Sequence, residues 1–163
     1  MLKTIYQNIV DTLLNECKSF YGERLVSFCL YGSVARGKMN YTSDIDFLIV
    51  ANNLPEGRVK RVTEFAAVEK KLQPLLLDGR KFGIYAELSP LLKTPEEVQA
   101  GSLIFLDMLE DGKILFDRDG LLQGYFGKLR KRLQELGAKR VWMGEAWYWI
   151  LKADYKPGEV FEI

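Results

Sequence analysis

Residues 32–46, GSVARGKMNYTSDID, hold most of the groups in this chain that could do chemistry. Asp44 and Asp46 stand two apart at the head of an apolar run, residues 47–50. On a β-strand their carboxylates share one face, with Cα atoms roughly 6 to 7 Å apart. From there the side chains can grip one divalent cation, or bridge two held about 3.5 to 4 Å apart. Magnesium takes such oxygen ligands and is usually completed by water and substrate phosphates. Two like charges this close repel unless a cation lies between them. A solvated strand end is the plain alternative for an isolated Asp-x-Asp.

The residues upstream change that balance. Gly32 follows the apolar run 25–31, where a residue without a Cβ lets the backbone turn sharply and come close to a phosphate. Ser33 adds a hydroxyl, and the next residues can open a short helix whose N–H groups attract anions. Arg36 can add a charge-assisted hydrogen bond to the same phosphates, and Gly37 ends the turn. Alone, Gly-Ser is an ordinary tight turn and Arg36 an ordinary surface residue.

In combination, Gly-Ser, a spacer of small and basic residues and Asp-x-Asp heading a strand resemble the signature of the DNA polymerase β-like nucleotidyltransferases. The likeness covers residues 25–50 and is closest to the small minimal nucleotidyltransferases, which include antitoxin halves of toxin–antitoxin pairs. Aminoglycoside nucleotidyltransferases are more distant and larger. The resemblance implies an α+β fold: a small mixed β-sheet flanked by helices, followed by a C-terminal helical and aromatic extension. It implies that Gly32 and Ser33 hold the β and γ phosphates of ATP, with Arg36 and Ser43 at commonly filled nucleotide positions. It also implies that Asp44 and Asp46 bind magnesium, as two ions, with manganese as a substitute.

A third carboxylate is expected on the next core strand, and Glu87 is the candidate. It interrupts the apolar run 82–88, read here as a buried strand ending before Ser89 and Pro90. An ionised carboxylate there is costly to bury without a partner, which favours a metal-facing role: Glu87 is expected to join Asp44 and Asp46 as the third metal ligand and to accept the acceptor hydroxyl's proton. The family more often places Asp at this position. The expected reaction is transfer of a nucleoside monophosphate, AMP from ATP, to a hydroxyl of a protein or small molecule, with release of pyrophosphate. The competing reading is an antitoxin-like or regulatory nucleotide-binding partner of a helical toxin-like protein, with weak or no catalysis.

Composition removes other chemistries. The 163 residues contain no histidine, which excludes Ser-His-Asp hydrolysis and imidazole-dependent metal sites. Cys17 and Cys29 have no zinc spacing and read as buried thiols. A formal net charge of +1 gives no electrostatic footprint for nucleic acid. No apolar stretch reaches membrane-spanning length and the start lacks the form of a secretory signal, so a cytoplasmic protein is expected.

Positioning these residues requires a helix over 2–21, signature strands at 25–31 and 47–50, and a helix from 58 to 77. Thr94 and Glu97 form a capping-box pattern for a helix from 95 to about 110, followed by a short strand at 113–116. Leu122, Tyr125, Phe126, Leu129, Leu133 and Leu136 recur at helical spacing, leaving Lys128, Arg130, Lys131 and Arg132 on a solvated face. The division expected is a core at 1–118 and an extension at 119–163. The tail from 139 holds all three tryptophans, residues that signal packing or an interface, a homodimer among the options.

Overall fold

Strands β1 (Leu25–Tyr31) and β2 (Ile45–Ala51) are buried almost end to end, so both faces of the sheet they form are covered. Their near-continuous apolar sequences, LVSFCLY and IDFLIVA, are the pattern such two-sided burial demands. The coordinates are a computed structural model describing residues 1–163. Met1–Leu122 and Gln123–Ile163 are two compact units.

In the first unit the sheet runs β3-β2-β1-β4, with β3 at Leu88–Lys93 and β4 at Lys113–Asp117. β1 is antiparallel to β2 and to β4, whereas β2 and β3 are parallel. The mixed sheet is the one expected. Helices α1 (Leu2–Tyr21) and α3 (Arg58–Arg80) supply Tyr6, Ile9, Leu13, Phe65, Val68 and Leu72 to one core. There Phe28 stacks on Phe47 at 5.4 Å between centroids, and Phe47 meets Phe65 at 5.7 Å. Full burial of each such side chain contributes about 1.5–3 kcal/mol. The alternate residues of the same strands, Cys29, Leu48 and Val50, are equally buried on the other face. Both cysteines are buried free thiols, and burial pushes each thiol up to about 12.

Two expected elements are corrected. The run 82–88 is not a strand: Phe82 and Tyr85 are half-exposed, and pairing begins only at Leu88. β3 instead contains Ser89 and Pro90, read from sequence as a turn. It lies at the sheet edge, the place where a strand tolerates proline's missing N–H. The helix expected over 95–110 is two, α4 (Pro95–Ala100) and α5 (Ile104–Asp111). Gly101, at φ +85°, breaks them apart after a capping box in which Thr94 and Glu97 bond each other's backbone N–H. Between β1 and β2 lies the four-residue helix α2 (Gly32–Ala35).

The second unit contains most of α6 (Leu121–Glu135), on which Phe126, Leu129 and Leu133 are buried and Lys128 and Lys131 exposed. It continues into a hairpin, β5 (Lys139–Met143) and β6 (Ala146–Ile150). Gly144, at φ +63°, occupies the first place of its two-residue turn, a position suited to glycine. Trp142 pairs with Trp147 across the strands, and the Arg140 guanidinium lies 4.8 and 5.5 Å from their rings.

Candidate active site

The site is assembled where β1 ends and β2 begins. Antiparallel register sets Tyr31 opposite Asp46, so the chain leaving β1 at Gly32 passes directly beside the second aspartate. Gly32 has φ +73°, and a Cβ built there would occupy the place of the Asp46 carboxylate. Glycine is therefore required twice over, by backbone conformation and by the side chain pressed against it. The turn after β1 and the Asp46 carboxylate are in this way one structure.

After Gly32 the chain makes the single turn α2, fastened by Arg36 N–H to the Gly32 carbonyl at 3.2 Å and Lys38 N–H to the Ser33 carbonyl at 3.0 Å. Gly37, at φ +70°, releases the chain from the turn. Arg36 reaches toward Asp111 at the end of α5, at 3.9 Å, and its charge also acts on Asp46. The expected phosphate-side residues Gly32, Ser33 and Arg36 thus lie on one turn at the β1 end.

The stretch 38–43 folds on itself before delivering Asp44. Asn40 Oδ1 accepts from the Thr42 N–H at 2.8 Å, and Ser43 Oγ accepts from the Asn40 N–H at 2.9 Å. Ser43, expected beside the nucleotide, is buried and uses its hydroxyl inside this loop, donating also to Asn40 Oδ1 at 3.3 Å. Tyr6, fully buried on α1, directs its hydroxyl at the carbonyls of Asn40 and Ser43, at 3.0 and 2.9 Å. Burial pushes the Tyr6 phenol up, and the nearby Asp44 charge adds to this, so the hydroxyl keeps its proton and donates.

Asp44, just before the first residue of β2, is exposed, and Asp46 within the strand is half-buried. Burial pushes the Asp46 carboxyl up; a hydrogen bond from Ser89 opposes this, the charge of Asp44 adds to it, and Arg36 opposes it. Parallel register sets Ser89 opposite Asp46, and the Ile45 N–H donates to the Glu87 carbonyl at 2.8 Å. Glu87 is therefore the lateral neighbour of Asp44, just outside the first residue of β3. Its exposed side chain does not close with the two aspartates into a three-carboxylate cluster. The donor set is two oxygen-bearing carboxylates in mutual repulsion, the chemistry that a hard divalent cation relieves.

Sequence reasoning missed Tyr6, Asn40 and Ser89. Asn40 carried a local signal, since Asn with Thr two and Ser three residues further on favours a self-bonded turn. Tyr6 lies 37 positions from Ser43, and the seat of Ser89 follows only from the parallel pairing of β3. A cavity of about 620 Å³ between α1 and α3, lined by Ile5, Asn8, Leu75 and Phe82 among others, contains none of the site residues.

A family model described as a nucleotidyltransferase domain matches residues 10–98. A protein of Methanocaldococcus jannaschii, provisionally named a protein adenylyltransferase, is 30% identical over 152 residues, 91% of this chain and 96% of its own. Among solved structures, a chain of a toxin–antitoxin complex crystallised with AMP-PNP is similar in fold, at TM-score 0.50 and 16% identity over 77% of this chain and 87% of that one. A mutant of the toxin–antitoxin pair MntA–HpeT is similar at TM-score 0.51 and 14% identity, with the same coverage. The chain belongs to the nucleotidyltransferase domain family.

Proposed function

We propose that this nucleotidyltransferase moves AMP from ATP to a hydroxyl of a protein, and that residues 32–46 with Glu87 carry the reaction. The observation that supports this most directly is the Asp46 carboxylate resting where Gly32 lacks a Cβ, which joins a phosphate-sized turn to the carboxylate face. The provisional name of the Methanocaldococcus jannaschii relative supports a protein acceptor.

In this reading Gly32 and Ser33 meet the β and γ phosphates, and Arg36 adds positive charge beside them. Asp44 and Asp46 would hold magnesium, two ions in all, with manganese able to replace them. When bound, such ions neutralise the triphosphate and acidify the acceptor hydroxyl. The acceptor oxygen forms a bond to the α-phosphorus, the bond from that phosphorus to the bridging oxygen breaks, and pyrophosphate leaves. The hydroxyl proton passes to Glu87, whose side chain is exposed beside the first residue of β3. Ser89 holds Asp46 in register through its hydrogen bond. Little covalent help is needed from the protein, because orientation and charge placement supply most of the acceleration.

Calorimetric titration of ATP into the protein, with and without magnesium, tests the site. Binding that needs the metal and disappears in the Asp44→Asn, Asp46→Asn double variant is the expected result. Absence of ATP binding by the unmodified protein would sink the proposal. Transfer of labelled AMP to proteins of the native host then identifies the acceptor. A second reading, partnership with a toxin-like helical protein, is favoured by the toxin–antitoxin setting of the similar folds. Co-purification that survives Asp44→Asn would support contact without catalysis.

A further inference from the structure

Asp44 is flanked by two peptide groups, and each is tied to a different part of the fold. The Ser43 carbonyl, on the N-terminal side, accepts from the Tyr6 hydroxyl of α1 at 2.9 Å. The Ile45 N–H, on the C-terminal side, donates to the Glu87 carbonyl at 2.8 Å. Two further bonds fasten the preceding loop: Tyr6 to the Asn40 carbonyl at 3.0 Å, and the Tyr85 N–H to the Tyr41 carbonyl at 2.7 Å. The Asp44 side chain is exposed, so its direction depends on how firmly these peptide planes are held.

We infer that Tyr6 is a positioning residue for Asp44, its hydroxyl fixing the peptide plane from which that carboxylate projects toward the metal. The inference rests on the reading of Asp44 as a metal-holding group. Three features single out Tyr6. It is the largest side chain that α1 buries completely, its ring is locked in the main core, and its hydroxyl is the part that leaves the core to reach the loop. An apolar ring would fill the same core volume, so only the oxygen is specific to the loop. One such bond carried from a rigid helix converts a surface loop into a fixed support, as partners behind a ligating carboxylate do in metal sites generally.

The test compares the unmodified full chain with Tyr6→Phe, which deletes one oxygen. Phe126→Leu serves as the control, a buried position of α6 in the second unit. Two quantities are read: hydrogen exchange of amides in residues 40–46 without nucleotide, and the magnesium concentration giving half-maximal ATP binding. Tyr6→Phe is expected to raise the exchange rate and the magnesium midpoint by about tenfold or more, with saturating magnesium restoring ATP affinity. Phe126→Leu is expected to change neither. Unchanged exchange overturns the inference by leaving Tyr6 a core residue only, and so does faster exchange with an unmoved midpoint, which leaves Tyr6 a support of the loop with no bearing on the metal. If Tyr6→Phe does not fold, Asn40→Ala loosens the same loop from its exposed side and must reproduce both effects. ATP binding without magnesium dependence in the unmodified protein overturns the metal reading itself, while exchange still decides whether Tyr6 pins the segment.

Discussion

Two antiparallel strand pairs in this molecule are joined in opposite ways. β1 and β2 are linked by a long, self-bonded stretch containing α2 and the loop 38–43, whereas β5 and β6 are linked by Gly144 and Glu145 alone. The long link is the better held, because its strands are buried on both faces and because Tyr6 and Tyr85 reach it from outside. The short link joins strands whose Trp142, Met143, Tyr148 and Ile150 are substantially exposed, and an isolated two-stranded sheet is marginal in water. Loop length is therefore a poor guide to rigidity. What matters is the embedding of the strands and the number of distant groups fastened to the link.

The sharpest way to break this contrast is to loosen the sheet itself. Phe28→Ala removes a fully buried ring stacked on Phe47 and is expected to cost about 3–5 kcal/mol in chemical denaturation. A loss below about 1 kcal/mol would show that the β1–β2 pair is no more deeply supported than the hairpin. Next, Asp46→Asn leaves packing at Gly32 nearly unchanged but removes a charge, and is expected to lower pyrophosphate release about 100-fold, or about 2.7 kcal/mol. On the hairpin, Trp142→Ala is expected to cost only about 0.5–1.5 kcal/mol, seen as faster hydrogen exchange across 139–150.

The smallest effect concerns acid. Arg61 holds the Glu97 carboxyl below its ordinary value of 4.5 through a 2.7 Å ion pair. A lowered folded-state pKa gives stability that is complete above the ordinary value and is lost as pH falls through the folded one. Glu97→Gln keeps the capping geometry but not the charge. The stability gap between the two proteins is expected to be a few tenths of a kcal/mol up to about 1 at pH 7, and to vanish near pH 2. A gap that widens in acid would reverse the assignment.

The sequence disclosed the groups of the site better than their supports. Gly32, Ser33, Asp44 and Asp46 were legible because strand geometry and turn chemistry act over a few residues. β3 was placed too early because 82–88 is as apolar as a strand, while the true strand contains a proline that only an edge position accommodates. The single helix expected over 95–110 ignored Gly101, whose positive φ divides it. In the tail, alternating aromatics fit a helix or a strand, and Gly144 was the one signal for a hairpin. Tyr6 and Ser89 act across the fold, through helix placement and strand register that no local pattern encodes.

The two cysteines give the first unit a built-in clock. Cys17 lies within α1 and Cys29 in the central strand β1, and both thiols are buried and held far from ionisation. An alkylating reagent attacks the thiolate, so it reaches neither sulfur until the sheet and helix part. The rate of alkylation in the native protein therefore times the opening of this unit, and it is silent toward the tail, which contains no cysteine. A single cysteine introduced into an exposed hairpin position would label at once and report the other region separately.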